Sequence, residues 1–329
     1  MATSRNPNDT TTGQGTRSMS RTPERSGAGV PVPPPATGGA VPARLVEPGR
    51  DYHARHENLL VPNRMESAHV LLLGDGSLGS LIASFLVRAG IGSLTHYDNE
   101  LVEETNICRT AYGERDIGRP KTEALNDILR AIRRDVVLEG RQEDIHATSD
   151  EALVAEIAKA SVSIIATDHP PTQARTAALS YFRVPAIIPG VYAKGTGGEV
   201  VLTIPDESAC WHCVFAGIRT EEQPDRGTED YGLATGQLKA EPALGTDIAN
   251  VAVAAAKLAI AVLNRGTGLE IEKMVQPERN VLFLGNSIDW AFRDYNEAFW
   301  ARTIRRPDCP VCSKRPALHA RATTRPALT

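Results

Sequence analysis

The sequence lacks the features that would place the protein in a membrane or on a nucleic acid. No apolar run approaches the roughly 18–20 residues that a membrane-spanning helix requires. Lysine and arginine number 36 against 40 aspartate and glutamate residues, so the net charge of −4 offers no basic surplus to a nucleic acid. We therefore expect an ordinary globular protein in the cytoplasm, with neither a membrane nor a nucleic acid as its partner.

Residues 1–45 contain almost no large apolar side chains. They are dominated by serine, threonine, proline, glycine and alanine, so they cannot bury enough surface to offset the entropy lost when a chain is ordered. They also lack the apolar core of a secretion signal. The sequence predicts a disordered tail over residues 1–45, a folded domain over 46–315 and a flexible tail over 316–329.

Cysteine is scarce, with five residues, but four of them form two C-x-x-C pairs at 210–213 and 309–312. Each pair presents two thiolates on one tight turn, and two pairs complete the tetrahedral sulfur shell that suits Zn²⁺. Without a secretion signal, this pattern favours a metal over disulfides, and two independent redox pairs are the alternative. Because no ligand position stays open, we predict a structural zinc site without His212, formed by Cys210, Cys213, Cys309 and Cys312.

The most informative stretch begins with the apolar run HVLLL at 69–73, which predicts a buried parallel strand. The turn GDGSLG at 74–79 follows and leads into a helical pattern over Ser80–Ala89. A second predicted strand, Ser93–Tyr97, ends at Asp98, where a carboxylate can accept hydrogen bonds from ribose hydroxyls. Together these elements predict an adenine-nucleotide site.

Predicted strands and helices alternate along the rest of the domain. Alternation of this kind implies right-handed crossovers, so we predict an α/β, Rossmann-like doubly wound fold with a mainly parallel sheet. Ligands of such sheets lie at the carboxyl ends of the strands, where Asp98 and Asp168 both fall. The aromatic-rich segment 290–300 is expected to pack, and a surface that docks a partner is the alternative. The remaining predicted helices are 122–132, 150–159 and 245–263, and the remaining strands are 136–140, 161–166, 184–191, 198–204 and 281–284.

Polar residues after Asp98 distinguish the site from that of a dehydrogenase, which needs none of them. Asn106, Arg109 and Lys121 supply an amide and two cations. Cations can offset the charge of a triphosphate and then of leaving pyrophosphate, so the pattern favours an enzyme that uses ATP. Asp168 is a candidate ligand of the Mg²⁺ ion that accompanies the triphosphate. Its alternative role is to cap the next helix.

These residues resemble the ThiF/MoeB/HesA superfamily of ubiquitin-activating-enzyme-like adenylyltransferases. The family pattern is G-x-G-x-x-G, then D-x-D-x-V-x-x-x-N-L-x-R, then G-x-P-K, and the likeness covers about residues 50–315. Glu100 and Ile107 replace the family's Asp and Leu. The resemblance implies an ATP site with these residues: Gly74, Gly76, Gly79, Asp98, Glu100, Asn106, Arg109 and Lys121, with Asp168 on magnesium.

The resemblance also implies an activity and an assembly. The protein would activate the C-terminal carboxylate of a ubiquitin-like or sulfur-carrier protein that ends in glycine, as an acyl-adenylate, with ATP and Mg²⁺, in a homodimer. Asn106, Arg109, Lys121 and Asp168 would be its catalytic residues. The family carries an arginine shortly after the magnesium aspartate, for which Arg175 is the candidate.

A second family arginine precedes the first strand and enters the partner subunit's ATP site. Arg50 and Arg55 are the candidates here, and an ordinary surface role is the alternative. Several relatives also place a thioester-forming cysteine in the loop after the first C-x-x-C pair, but residues 218–245 contain none. Cys108 is too near the nucleotide for that role, and we predict that it packs.

The sequence therefore predicts adenylation without the usual thioester. Four alternatives stay open: a peptide as substrate, a modified tRNA base, a non-catalytic scaffold that binds a ubiquitin-like protein, and a dehydrogenase that uses the same glycine turn. The absence of a basic surplus argues against tRNA.

Overall fold

The computed structural model describes residues 52–215, 242–289 and 291–313. The chain divides into two units, Met1–Glu47 and Pro48–Thr329, and all of the described residues belong to the second. The predicted tails at 1–45 and 316–329 lie outside the described residues. So do Arg50, Trp290 and most of the loop that follows the first cysteine pair.

Within the described residues, the strands form one eight-stranded sheet in the order β3-β2-β1-β4-β5-β6-β7-β8. The strands are β1 His69–Leu73, β2 Ser93–Tyr97, β3 Val137–Arg141, β4 Val162–Ile165, β5 Ala186–Val191, β6 Gly197–Thr203, β7 Val281–Gly285 and β8 Ala298–Ala301. The α-helices of this part of the chain are α1 Pro62–Glu66, α2 Ser77–Ala89, α3 Lys121–Ile132, α4 Asp150–Ile157, α5 Pro170–Tyr181, α6 Trp211–Val214 and α7 Gly245–Leu263.

The five strands from β3 to β5 are parallel, and β6, β7 and β8 continue the sheet antiparallel to their neighbours. Leu73, the last residue of β1, pairs with Tyr97 of β2 and Ile165 of β4. The carboxyl ends of these three strands therefore meet at one edge, and the segments that follow them lie side by side. The predicted α/β fold with a mainly parallel sheet is confirmed.

Apolar side chains cover both faces of the sheet. On one face, Val70 and Leu72 pack with α2, α3 and α7, and on the other, Leu71 and Leu73 pack with α4, α5 and Trp211. This alternation follows from the two-residue period of a strand and explains why β1 is apolar from Val70 to Leu73.

In the second half of the chain, one strand was not predicted and one expectation fails. Strand β8 was not predicted, because the four residues AFWA carry no alternating pattern and become a strand only by pairing with β7. Helix α7, with 19 residues, is long and apolar enough to span a membrane by length and composition, contrary to our expectation of no such run. It packs against α2, β5 and β6 as a core helix, and 56% of its apolar window is buried.

Candidate functional site

The turn between β1 and α2 has a backbone that depends on glycine. Gly74 has a φ of +101°, in the left-handed region, and a Cβ there would lie 2.9 Å from the carbonyl oxygen of Ala166. A Cβ on Gly79 would lie 1.8 Å from the carbonyl oxygen of Gly74. Gly76, by contrast, has nothing within 4 Å of its Cβ position. The turn is thus packed against the segment after β4 on one side and open at Gly76.

The open side of the turn coincides with the N-terminus of α2. Gly76 is the N-cap residue and has no side chain with which to cap the first N–H groups of the helix. Uncapped N–H groups and the positive end of the helix dipole favour an anion, so this position fits the phosphates of a nucleotide.

Asp98, at the end of β2, is buried and hydrogen-bonded by the backbone on both carboxylate oxygens. Oδ2 accepts from the N–H of Asp75 in the turn at 2.9 Å, and Oδ1 accepts from the N–H of Glu100 at 2.9 Å. Each oxygen keeps a second lone pair for a ribose hydroxyl. Burial raises the pKa of Asp98 to about 6, and the charge of Lys121 opposes that rise.

Lys121 is a buried cation at the first position of α3. The positive end of a helix dipole disfavours a cation at this point, so nearby carboxylates must compensate. Its Nζ forms a salt bridge with Glu100, and its backbone N–H donates to the Glu100 carbonyl oxygen at 3.0 Å. The structure therefore places Lys121, Glu100 and Asp98 together beside the glycine turn, and their binding of ATP stays a prediction.

Asn106 and Arg109 lie on a short 3₁₀ segment, Glu104–Arg109, between β2 and α3. The Asn106 Oδ1 caps this segment by accepting from the N–H of Glu103 at 3.0 Å. The segment is tied to α2, because the N–H of Ala111 donates to the Ser80 hydroxyl at 3.2 Å. Asn106 thus has a structural contact of its own, and its role toward ATP stays a prediction, as does that of the half-buried Arg109.

Asp168 is exposed and follows β4, in the segment that packs against Gly74 through Ala166. The N-cap residue of α5 is His169, and it makes no side-chain capping bond, so Asp168 is not the helix cap that was its alternative role. An exposed carboxylate beside the phosphate end of the turn fits a Mg²⁺ ligand. Arg175 instead holds the loop before α4, through Asp150 at 2.7 Å and the carbonyl oxygen of His146 at 3.2 Å.

Sequence reasoning missed a set of polar side chains below the turn. Asp75 and His96 are both fully buried and contact each other, and Asn126 of α3 contacts His96. The signal was a histidine in a predicted strand, two residues before Asp98, but its partners are 21 and 30 residues away in the chain.

The four paired cysteines form one buried cluster. Their Sγ atoms lie within 4.8 Å of one another, with Cys210 and Cys309 3.5 Å apart and Cys213 and Cys312 3.4 Å apart. These separations exceed the roughly 2.05 Å of a disulfide and place both pairs at one centre, which does not fit two independent redox pairs. His212 is not part of the cluster.

The environment of the sulfurs also fits a metal. Burial raises the pKa of Cys213 to about 11, whereas the backbone N–H groups of Cys312 and Val311 outweigh burial and bring the pKa of Cys309 to about 7. The N–H of Arg306 donates to the Cys213 Sγ at 3.3 Å. Four thiolates with supporting N–H donors suit Zn²⁺, and the site would join the end of the domain to α6.

The remaining candidates are exposed. Cys108 is exposed, with its Sγ 3.6 Å from the Thr105 carbonyl oxygen, so the prediction that it packs is wrong. Its neighbour Ile107 packs instead, partly buried against the core. Arg55 is an exposed residue of a short 3₁₀ turn, Ala54–His56, and its role in a partner subunit stays a prediction.

Comparisons with known proteins identify the family of this chain. The ThiF family profile matches residues 57–293. The chain is 29% identical to the SAMP-activating enzyme E1 of Haloferax volcanii over 76% of its length and 82% of that protein. It is 31% identical to the sulfur carrier protein ThiS adenylyltransferase of Escherichia coli over 52% of its length and 66% of that protein. It is also 31% identical to the ubiquitin-like modifier-activating enzyme 5 of Dictyostelium discoideum, over 51% of its length and 47% of that protein.

Solved structures share the fold at low identity. The E. coli MccB structure with ATP has a TM-score of 0.61 at 18% identity, over 81% of this chain and 75% of that one. The microcin C7 biosynthetic enzyme MccB with N-formylated MccA has a TM-score of 0.60 at 19% identity, over 79% and 71%. The glycine turn, the residues gathered beside it and the match over most of the domain lead to one conclusion: this chain belongs to the ThiF family of ATP-dependent adenylyltransferases.

Proposed function

We propose that the protein activates the C-terminal carboxylate of a ubiquitin-like or sulfur-carrier protein as an acyl-adenylate. The observation that carries the proposal is the contact of Lys121 with Glu100 beside the buried Asp98, at the open end of the glycine turn. Relatives that match over much of this chain are named for activating SAMP, ThiS or a ubiquitin-like modifier, which supports a substrate of that class.

The reaction requires no nucleophilic side chain. An oxygen of the substrate carboxylate attacks the α-phosphorus of ATP, and the bond from that phosphorus to the bridging oxygen breaks as pyrophosphate leaves with the electron pair. Lys121 and Arg109 would offset the negative charge that builds up on the phosphates, while Asp98 and the turn would hold the ribose and fix the line of attack. Mg²⁺ held by Asp168 would neutralise further charge on the triphosphate.

Thioester transfer is not part of the proposal. After Cys213 the next cysteine in the chain is Cys309, and both belong to the buried cluster. Cys108 is exposed but adjoins Arg109, in the segment that would face the nucleotide. The acyl-adenylate itself would then be the species that reacts with the acceptor. We propose a homodimer in the cytoplasm as the working form, with Arg50 or Arg55 of one subunit entering the other's site.

The experiment is ATP–pyrophosphate exchange with Mg²⁺ and a carrier protein that ends in Gly-Gly. Exchange that requires the carrier and is lost in Asp168→Ala is the expected result. Glu278→Ala is the matched control, because Glu278 is an exposed carboxylate before β7, near the edge where the parallel strands begin. ATP binding without exchange for any carrier would contradict the proposed substrate, and absence of ATP binding would contradict the site.

A peptide is the second candidate substrate. The structures of similar fold include MccB with MccA, although at this identity the likeness supports the fold alone. The same exchange assay with short peptides in place of the carrier separates the two candidates, and a scaffold that only binds a ubiquitin-like protein would give exchange with neither.

A further inference from the structure

Asp75 connects the glycine turn to its surroundings at three points. Its N–H donates to Asp98, its carbonyl oxygen accepts from the Tyr112 hydroxyl at 2.7 Å, and its Oδ2 lies 2.6 Å from the His96 Nδ1. The side chain is fully buried, so it points into the protein below the turn rather than toward the open side at Gly76. Asp75 therefore fixes the turn to its surroundings, in addition to the constraints set by Gly74 and Gly79.

His96 contacts an oxygen atom with each ring nitrogen. Nδ1 faces the Asp75 carboxylate, and Nε2 faces the Asn126 Oδ1 at 3.1 Å. Two acceptors favour the imidazolium, which donates from both nitrogens. Burial lowers the pKa of His96, but the charge of Asp75 and the hydrogen bonds to Asp75 and Asn126 outweigh burial, so that its pKa lies above 6.5.

The neighbouring strand leaves room for this arrangement. Gly140 of β3 pairs with His96 across the sheet, and a Cβ on Gly140 would lie 2.8 Å from the Asn126 Nδ2 and 3.0 Å from the His96 Cε1. The other charged groups near the pair are Asp98, two residues along β2, and Lys121 of α3, which acts on Asp98. On β3 the residue paired with His96 is Gly140, which carries no charge, and the charged residues Glu139 and Arg141 pair with Thr95 and Tyr97 on either side of it.

A buried ion pair of this kind adds little to stability when compared with apolar residues of the same size. The position of the pair below the turn suggests that it contributes to phosphate binding instead. A bare carboxylate on Asp75 would lie directly below the turn that receives the phosphates, next to the carboxylate of Asp98, and would repel a triphosphate. The proton on His96 cancels that charge while the hydrogen bond keeps the Asp75 side chain turned inward.

We propose that His96 is a positioning residue for ATP, which pairs with Asp75 to hold the glycine turn and to remove a negative charge from below the triphosphate. This inference rests on the proposed ATP site at the turn. His96 acts through Asp75 and does not touch the nucleotide. The effect of His96 on ligand affinity should therefore increase with the negative charge of the ligand. A purely structural role would affect charged and uncharged ligands alike.

The test compares the affinities for ATP and adenosine in wild type, His96→Gln, Asp75→Asn and the double variant, by calorimetry between about pH 6 and pH 9. In the wild type we expect the ATP affinity to fall by up to about tenfold as the pair loses its proton. In His96→Gln the ring that carries the proton is gone, so that fall should be absent. Asp75→Asn and the double variant should show no such fall, and adenosine affinity should change by less than about twofold throughout. The ionisation of ATP itself is common to all four proteins.

Thermal melting checks that each variant is folded. If His96→Gln alone is unstable, the double variant keeps the test valid, because the double variant leaves no unpaired charge. Equal losses for ATP and adenosine, or coincident pH profiles in wild type and His96→Gln, would overturn the proposal. A wild type that binds neither ligand would instead overturn the ATP site on which it rests.

Discussion

The backbone N–H of Asp75 lies 2.9 Å from the Asp98 Oδ2, so the glycine turn and the end of β2 are joined by a direct hydrogen bond. A nucleotide that binds the N–H groups of the turn and the carboxylate of Asp98 would bridge two parts already held in register. The ribose and the phosphates would then be positioned by one rigid unit, which lowers the entropy lost on binding.

The charge of Asp98 should control nucleotide affinity at acid pH. Burial raises its pKa to about 6, and because the protonated carboxyl is a poorer acceptor, ATP affinity should decline as the pH falls through about 6. Asp98→Asn should reduce the affinity at pH 7 by about 1.5–3 kcal/mol and abolish the decline. Titration calorimetry on wild type, Asp98→Asn and the control Glu278→Gln measures this. A decline that persists in Asp98→Asn would assign it to another group.

Lys121 should affect both catalysis and the titration of Asp98. Lys121→Met removes the cation that opposes the rise in the pKa of Asp98, so the acid decline in ATP affinity should move to higher pH. The rate of ATP–pyrophosphate exchange should fall by about 10²–10³, the usual effect of losing one group that stabilises developing charge. Lys273→Met is a suitable control, because Lys273 is an exposed lysine paired with Glu270 by a similar salt bridge. An unshifted decline in Lys121→Met would contradict this coupling.

Two glycines of the turn should respond to alanine in different ways. Gly79→Ala forces a Cβ against the Gly74 carbonyl oxygen, and the turn must shift, with a loss of about 1–3 kcal/mol of stability. Gly76→Ala meets no atom within 4 Å and has a negative φ, so its stability should change by less than about 0.5 kcal/mol. Its methyl group would nevertheless enter the open space at the start of α2.

Chemical denaturation and ATP binding separate the two effects. Gly76→Ala should bind ATP weakly although it is as stable as wild type, whereas Gly79→Ala should lose both properties. Full ATP affinity in Gly76→Ala would show that the phosphates do not lie on this side of the turn.

The cysteine cluster should contain zinc, with a structural role. Elemental analysis should find about one zinc per chain, and a strong chelator should lower the melting temperature because the C-terminal segment of the domain loses its link to α6. Cys309→Ser should lose the metal, whereas Cys108→Ser, which alters an exposed thiol outside the cluster, should retain it. Zinc loss without a change in melting temperature would contradict the structural role.

Local sequence patterns determined seven of the eight strands, the glycine turn and the cysteine pairs. A left-handed backbone at Gly74, the apolar run of β1 and the tight C-x-x-C turns all depend on neighbouring residues, so they can be recognised from a short window of sequence. The carboxyl ends of parallel strands meet by geometry, so the order of the strand patterns is enough to predict that Asp98 lies near the turn.

Only the tertiary structure decided which side chains touch. Arg175 is the candidate for the family arginine that follows the magnesium aspartate, and the structure shows that it contacts Asp150 at the start of α4 and the preceding loop. The strand β8 exists through its pairing with β7, and the pair of Asp75 and His96 depends on three elements, β2, α3 and the turn, meeting in one place. These contacts join residues that are far apart in the chain. Their energies depend on burial and charge where the elements pack together, and a local sequence pattern does not encode either quantity.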